Sequence, residues 1–299
     1  MNKHTLFGEG YSHLIPLLLF KKGNGIVHSR FTNGLNIKMG DSLIFIGTTK
    51  NGFLPFGIHL NERDTALAVF SVNNGEAVSW NERTNSIEFQ NFMISLDRAN
   101  PFKNEISELK NDQVFESSFT RFSTHLMSIE ERTGLDVSIR DFINNYKGFN
   151  DQDTTGIDMY LMLLIKAAIT SDESLMDKAF RYFLGRGNGL TPSGDDMIVG
   201  LLAFDAVTHF LSTRFYDKLS ELIENESITT DVAKEYLRYA VKQEYSSTVS
   251  DMVNTLANGE NENFEKDFQN LLGVGHSSGL DTLFGILIGM LSFKTKKTN

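Results

Sequence analysis

Two glycine-rich blocks in the second half of the chain constrain its fold more than any other feature. One covers residues 185–204, GRGNGLTPSGDDMIVGLLAF; the other covers residues 273–290, GVGHSSGLDTLFGILIGM. Aligned on their serines, both read G-x-G, a short spacer, S-G-x-D, three residues, then G-[L/I]-L. The first carries Gly187, Gly189, Ser193, Gly194, Asp196, Gly200 and Leu202; the second carries Gly273, Gly275, Ser278, Gly279, Asp281, Gly285 and Leu287. The spacers differ in length, so this is a local motif repeat and not a long duplication.

The residues behind each block, 197–204 and 283–291, are apolar on nearly every face. Helices of that kind are buried centrally. Their N-termini then open into the interior, where an acidic pair such as Asp195-Asp196 is costly without a partner. Glycine-rich loops that deliver backbone N–H groups to a helix start make anion-binding ends. A purely structural alternative exists. S-x-x-D before an apolar run is a capping box, and Gly200, Gly285 and Gly289 would then only allow close helix packing. Gly200 and Gly285 each fall about 10 Å down the helix from their serine. A near-parallel crossing at these glycines points both loops into one cavity; an antiparallel crossing separates them by roughly 20 Å.

Candidate roles follow from chemistry. The N–H groups around Gly187, Gly189, Gly194 and Gly279, with the Thr191, Ser193, Ser277 and Ser278 hydroxyls, suit a phosphate or carboxylate. Asp195, Asp196 and Asp281 suit the N–H groups of an amide or ureido ligand, or a Mg²⁺ ion held through water. No cofactor is firmly assigned, and the metal set is open. Arg186 could supply charge and His276 a proton. Their plain alternatives are a solvated helix-end cation and a loop hydrogen-bonder. Residues 246–250, SSTVS, open a predicted helix and read as a cap whose hydroxyls could reach the same pocket. The blocks are neither a dinucleotide fingerprint nor a P-loop, because the preceding strand and the G-K-[S/T] ending are missing. No histidine pair has zinc-ligand spacing, and no G-x-S-x-G elbow is present.

The rest of the chain supplies the frame. Residues 42–47, 65–72, 77–80, 86–89 and 92–96 are short strand-like runs. Turn signals at Asn33-Gly34, Asn51-Gly52 and Asn73-Asn74-Gly75 separate them. They predict a small barrel or sandwich over residues 1–100. Trp80 reads as core. After Asn100-Pro101 the period moves from two to about 3.6. Helices are predicted near 115–133, 138–147, 157–170, 173–184, 194–212, 215–225, 230–243, 247–258, 262–272 and 279–292, with a polar loop at 151–156. The fold class is α+β: a β-rich domain over 1–100, then an all-helical domain over 101–299 that carries both blocks.

Composition narrows the function. There is no cysteine, which excludes disulfides, thiol catalysis and thiolate metal sites. The net charge of −10 argues against nucleic acid and anionic membranes as partners. Lys294, Lys296 and Lys297 read as a solubilising tail. The apolar run at 14–20 is short, interrupted by Pro16 and followed by Lys21 and Lys22, so it is not read as a signal peptide. A cytoplasmic location is expected.

The two glycine-rich blocks resemble a known family, that of the third subunit of oxamate carbamoyltransferase (AllH-like). Its G-x-G-x-G-L-T-P-[S/A]-G-D-D block is similar to residues 185–196, and its G-H-[S/T]-S-G-x-D block to residues 275–281. The serine/threonine-rich stretch 246–250 and Asn33-Gly34-Leu35-Asn36-Ile37 are similar in kind. Asn188 departs from the block, where proline is common. The resemblance implies a subunit that works with two other proteins in purine-ureide (allantoin) catabolism. The implied reaction converts oxalurate and phosphate to oxamate and carbamoyl phosphate. The pocket chemistry suits carboxylate, ureido and phosphate groups. Two alternatives stay open: a non-catalytic anion-binding or scaffold subunit, and a stand-alone metal-dependent enzyme.

Overall fold

The computed structural model describes residues 4–146, 156–259 and 262–298. The chain divides into two compact units, Met1–Asn104 and Glu105–Asn299. The first is β-rich and the second helical.

Ten strands build the first unit: β1 His4–Phe7, β2 Gly10–Ser12, β3 Asn24–Phe31, β4 Gly34–Met39, β5 Ser42–Gly47, β6 Gly57–His59, β7 Ala77–Asn81, β8 Ser86–Glu88, β9 Phe92–Ser95 and β10 Asn100–Phe102. They form one sheet in the order β1-β9-β8-β7-β3-β4-β5-β6-β2-β10. Only Gly8 and Glu9 separate β1 from β2, yet these strands lie near opposite ends of that order. The sheet must therefore curl until its ends approach. Gly8 N donates to Ser95 O on one side and Glu9 N to His59 O on the other, 2.9 and 2.8 Å. The expected small barrel or sandwich thus takes the form of one curled sheet. His59 is buried among Phe45, Phe53 and Phe102, and burial pushes its imidazole down to about 4.

Two helices interrupt the strands. Residues 65–72, expected to be a strand, lie almost wholly in α2, Glu62–Ser71. Asn61 caps it by accepting from Asp64 N at 2.8 Å, and Glu62 and Asp64 sit in its first turn. The cap and the favourable acidic first turn override the strand-like run. Its buried residues, Thr65 and Ala68, are three apart, which is helical spacing. The apolar run at 14–20 falls largely in α1, Ile15–Lys22, with Pro16 in the first turn and Ile15 and Leu19 buried.

The second unit holds ten helices among the described residues: α3 Asp112–Ser128, α4 Ile139–Tyr146, α5 Gly156–Ile169, α6 Glu173–Phe183, α7 Ser193–Thr208, α8 Thr213–Asn225, α9 Asp231–Ala240, α10 Ser247–Asn258, α11 Phe264–Leu272 and α12 Ser278–Thr298. Each matches a predicted helix. The expected loop at 151–156 falls outside the described residues, except for Gly156, which opens α5. Lysines 294, 296 and 297 are not a free tail, because α12 continues through them. Lys296 Nζ donates to Phe210 O at 2.6 Å, while Lys294 pairs with Glu116 and Lys297 with Asp112.

Helices α7 and α12 form the centre of this unit. Every residue of α7 from Ser193 to Val207 is buried, as is α12 from Gly279 to Ser292. The close approach is made by glycine. A Cβ on Gly200 would lie 2.0 Å from Thr282 O, and one on Gly285 would lie 1.9 Å from Met197 O. Farther along, Gly289 meets Leu201 and Phe204. Contacts advance in the same direction along both helices, so the pair is parallel.

Candidate functional site

Parallel packing brings the two S-G-x-D starts side by side. Thr191 Oγ1 of the first block lies 3.1 Å from Ser278 Oγ of the second. Ser193 does not act as the capping box would require. The N-cap of α7 is Pro192, with no side-chain cap bond. Ser278 instead faces Asp196, and Ser193 faces Asp281, so each serine serves the aspartate of the other block.

The symmetry runs further than the motif. Gly194 presses on the carbonyl of Phe183, the last residue of α6, and Gly279 on that of Leu271 in α11; a Cβ at either would lie 2.0 Å away. The repeated unit is therefore a helix, a glycine loop and a second helix. The G-x-G glycines do not correspond one to one. Gly187 (φ +119°) and Gly275 (φ +65°) are the ones that pack on their serines. Gly273 has an ordinary helical φ of −74°. Gly189 (φ +96°) is exposed, and a Cβ there would meet nothing within 4 Å.

The aspartates have distinct surroundings. Asp195 accepts from Gly185 N at 3.2 and 3.1 Å and from Thr229 Oγ1 at 2.7 Å. Burial pushes its carboxyl up to about 7, against the opposing pull of those donors. Asp196 is raised well above the usual carboxylate range by burial, helped by the charges of Asp281 and Asp195 and opposed by the Ser278 and Thr191 hydroxyls. Asp281 is also raised by burial. The Gly134 N–H, 2.8 Å from its Oδ1, and the Ser193 and Ser277 hydroxyls oppose that rise. The Oδ2 atoms of Asp196 and Asp281 are both buried without a hydrogen-bond partner. Such atoms are costly unless a ligand or proton satisfies them.

The remaining candidates stand apart from this centre. Arg186 is exposed; its Nε donates to Tyr182 O at 2.7 Å and its guanidinium lies 3.9 Å above the Tyr182 ring. His276 is exposed on the loop ahead of α12. In the 246–250 stretch, Ser246 Oγ pairs with Thr248 Oγ1 at 3.0 Å and Ser250 Oγ is buried without a partner. Among the described residues, no group of three or more His, Cys, Asp or Glu side chains is placed to hold a metal, and no helix is long and apolar enough to cross a membrane.

Two family models match the chain. The AllH family N-terminal domain covers residues 9–101, and the oxamate carbamoyltransferase subunit AllH covers residues 183–290. The chain belongs to the AllH family. No solved structure matches it. The second AllH match begins at the last residue of α6 and runs into α12, so it contains both glycine-rich blocks and the paired aspartates.

Three further residues reach this site without belonging to either block. Gly134 comes from the loop between α3 and α4. Tyr236 on α9 has its phenol pushed up by burial and by the charge of Asp196, so it stays protonated as a donor. Thr229 holds Asp195. Gly134 and Thr229 lie in short turns and Tyr236 on an amphipathic helix, and nothing in their local sequence marks them. Chemically, the centre offers two helix N-termini for an anion, four hydroxyls that donate or accept, and two open carboxyl oxygens.

Proposed function

We propose that this chain is the subunit of an oxamate carbamoyltransferase that holds a ureido acid such as oxalurate, with phosphate, at the paired starts of α7 and α12. One observation carries the reading: Asp196 and Asp281 each leave a buried Oδ2 unpartnered where two helix N-termini meet. An anion is favoured by the helix ends and hydroxyls, and ureido N–H groups are the natural partners of open carboxyl oxygens.

In the transfer, a phosphate oxygen bonds to the terminal carbamoyl carbon of oxalurate. The bond from that carbon to the inner nitrogen breaks, and the nitrogen leaves with the electron pair as the amide of oxamate. Asp196, held protonated, is suited to place a proton on that nitrogen and to regain one from the phosphate hydroxyl. Asp281 accepts from a ureido N–H. Thr191, Ser193, Ser277, Ser278 and the N–H groups around Gly187 and Gly189 bind the anionic ends; the Gly194 and Gly279 N–H groups donate instead to Arg186 O and Val274 O, each at 2.9 Å. Arg186 and His276 are proposed rim groups, one for a carboxylate and one for proton exchange. Positioning and charge stabilisation carry most of such a reaction. Two other subunits, a cytoplasmic location and a place in purine-ureide catabolism belong to the same proposal.

The test has two parts. Calorimetric titration with oxalurate and phosphate, with and without Mg²⁺, should show binding by the isolated chain. Phosphate-dependent loss of oxalurate should then need the partner subunits. Absence of binding refutes the site. Full turnover by the lone chain refutes the subunit reading in favour of a stand-alone enzyme.

A further inference from the structure

A strap between α3 and α4 reaches the site from outside both glycine-rich blocks. Thr133 N donates to Val137 O at 3.0 Å, Asp136 N to Thr133 O at 2.8 Å, and Val137 N to Thr133 Oγ1 at 3.0 Å. Thr133 is buried, and Asp136 takes the left-handed turn with φ +61°. The strap is thus a self-closed turn that carries the exposed Gly134. Gly134 N donates to Asp281 Oδ1 at 2.8 Å. A Cβ on Gly134 would lie 2.0 Å from Ser193 Oγ, 2.7 Å from Ser277 Oγ and 3.0 Å from Asp281 Oδ2. Its missing side chain therefore leaves free the space in which those three atoms converge. The strap also lies outside the 183–290 match.

The two aspartates differ in what holds them. Asp281 Oδ1 is engaged by a backbone donor that cannot rotate away, whereas its Oδ2 is without a hydrogen-bond partner and shares its space with the Ser193 and Ser277 hydroxyl oxygens. Asp196 has no backbone N–H donating to its carboxyl and shares its surroundings with Asp195 on its own helix and Tyr236 on α9.

We propose that Gly134 is a positioning residue: its N–H commits Asp281 to the role of acceptor with one open oxygen, and leaves Asp196 as the donor of the pair. The ligand class that fits is a ureide-like group presenting an N–H to Asp281 Oδ2 and a carbonyl or phosphoryl oxygen to Asp196. This rests on the ligand reading above, but the role of Gly134 can be read without ligand. A hydrogen bond to the charged form favours it, so removing the bond should make Asp281 harder to ionise.

The experiment is a carboxyl ¹³C titration of the full chain labelled at aspartate, with Asp281 assigned by its loss in Asp281→Asn. Gly134→Ala should move the Asp281 midpoint upward. Thr133→Val, which loosens the strap without adding volume to the site, should move it the same way by less. Asp136→Asn, which alters only the exposed pair with Arg132, should leave it in place. An unmoved midpoint in folded Gly134→Ala overturns the proposal. If that variant does not fold, an unmoved midpoint in Thr133→Val overturns it. Oxalurate calorimetry adds a second readout: at least tenfold weaker binding by Gly134→Ala, with the pH profile of affinity displaced upward. Equal affinity in both proteins overturns the positioning role. If the wild type binds no oxalurate, the ligand reading fails and the titration still decides Gly134.

Discussion

The two S-G-x-D blocks make the same helix contacts and set their acids in different surroundings. Their shared residues produce reciprocal contacts: Gly200 on the carbonyl of Thr282, Gly285 on that of Met197, Gly194 and Gly279 on the helices before them. The differences sit at the positions the pattern leaves free. Asp195 of the first block stands where the second has Leu280, which is buried at 5% exposure. Asp195 is braced by Gly185 and Thr229, whereas Asp281 is reached by Gly134. A repeated motif can therefore fix helix contacts twice while its neighbours give the acids of each copy different partners.

The largest expected effect probes the residue that only one block has. Asp195 is raised to about 7 from 3.8, so the folded state holds its proton between those values while the unfolded state does not. Its contribution to stability is fully present below pH 4 and is lost as pH rises towards 7. About three pKa units correspond to roughly 4 kcal/mol. Urea melts should show the stability of wild type relative to Asp195→Asn falling by up to about that much across this window. A flat difference would mean that the two blocks do not differ in this way.

The reciprocal glycines come next. Gly200→Ala and Gly285→Ala should each cost about 3 kcal/mol, because the new Cβ meets a backbone carbonyl that cannot rotate aside. Gly289→Ala, whose Cβ would meet the Phe204 side chain at 3.0 Å, should cost less. Unequal losses at Gly200 and Gly285, read by thermal or urea unfolding, would break the symmetry.

Ligand affinity should then separate the aspartates. Asp281→Asn is expected to weaken oxalurate binding about 100-fold, near 2.7 kcal/mol, because an amide N–H would face a ureido N–H. Asp196→Asn keeps a donor and should weaken binding only about tenfold, about 1.4 kcal/mol, while abolishing turnover in the reconstituted complex. The order is measured by calorimetry on folded variants, and a reversed order would exchange their roles. The smallest effect belongs to the bridge between blocks: Thr191→Val, which removes the contact with Ser278, should cost about 1 kcal/mol of stability in the same unfolding assay.

Much of this was legible from residue order. The ten helices follow from a sustained 3.6-residue period, and the burial of α7 and α12 from apolar residues on every face. In the β unit, Ser42–Gly47 is a strand as read. Residues 65–72 look like a strand, but a cap at Asn61 outweighs a β-like run. β1, β2, β3, β4, β6 and β10 are not among the strand-like runs; length is not the reason, because three-residue β8 is among them and eight-residue β3 is not, and β4 is buried at nearly every position and so shows no alternation. The serines of the blocks were legible as important but not in their role. A capping box is a local arrangement, whereas their hydroxyls reach across to the other block. Asp195, Asp196 and Asp281 stood out as acids before apolar helices, yet their different partners did not.

Sequence alone determined that two glycine-rich loops start two buried helices, because periodicity, apolarity and the backbone freedom of glycine act within a few residues. Only the tertiary structure decided that the helices run parallel, that each serine faces the other block's aspartate, and that Gly134 and Tyr236 reach the same pair. Gly134 lies 147 positions from Asp281, and no local preference spans such a distance. Its N–H meets Asp281 because helix packing sets where the loop between α3 and α4 must turn. That contact, with Asp195 and Tyr236 beside Asp196, gives the two carboxyl groups different surroundings.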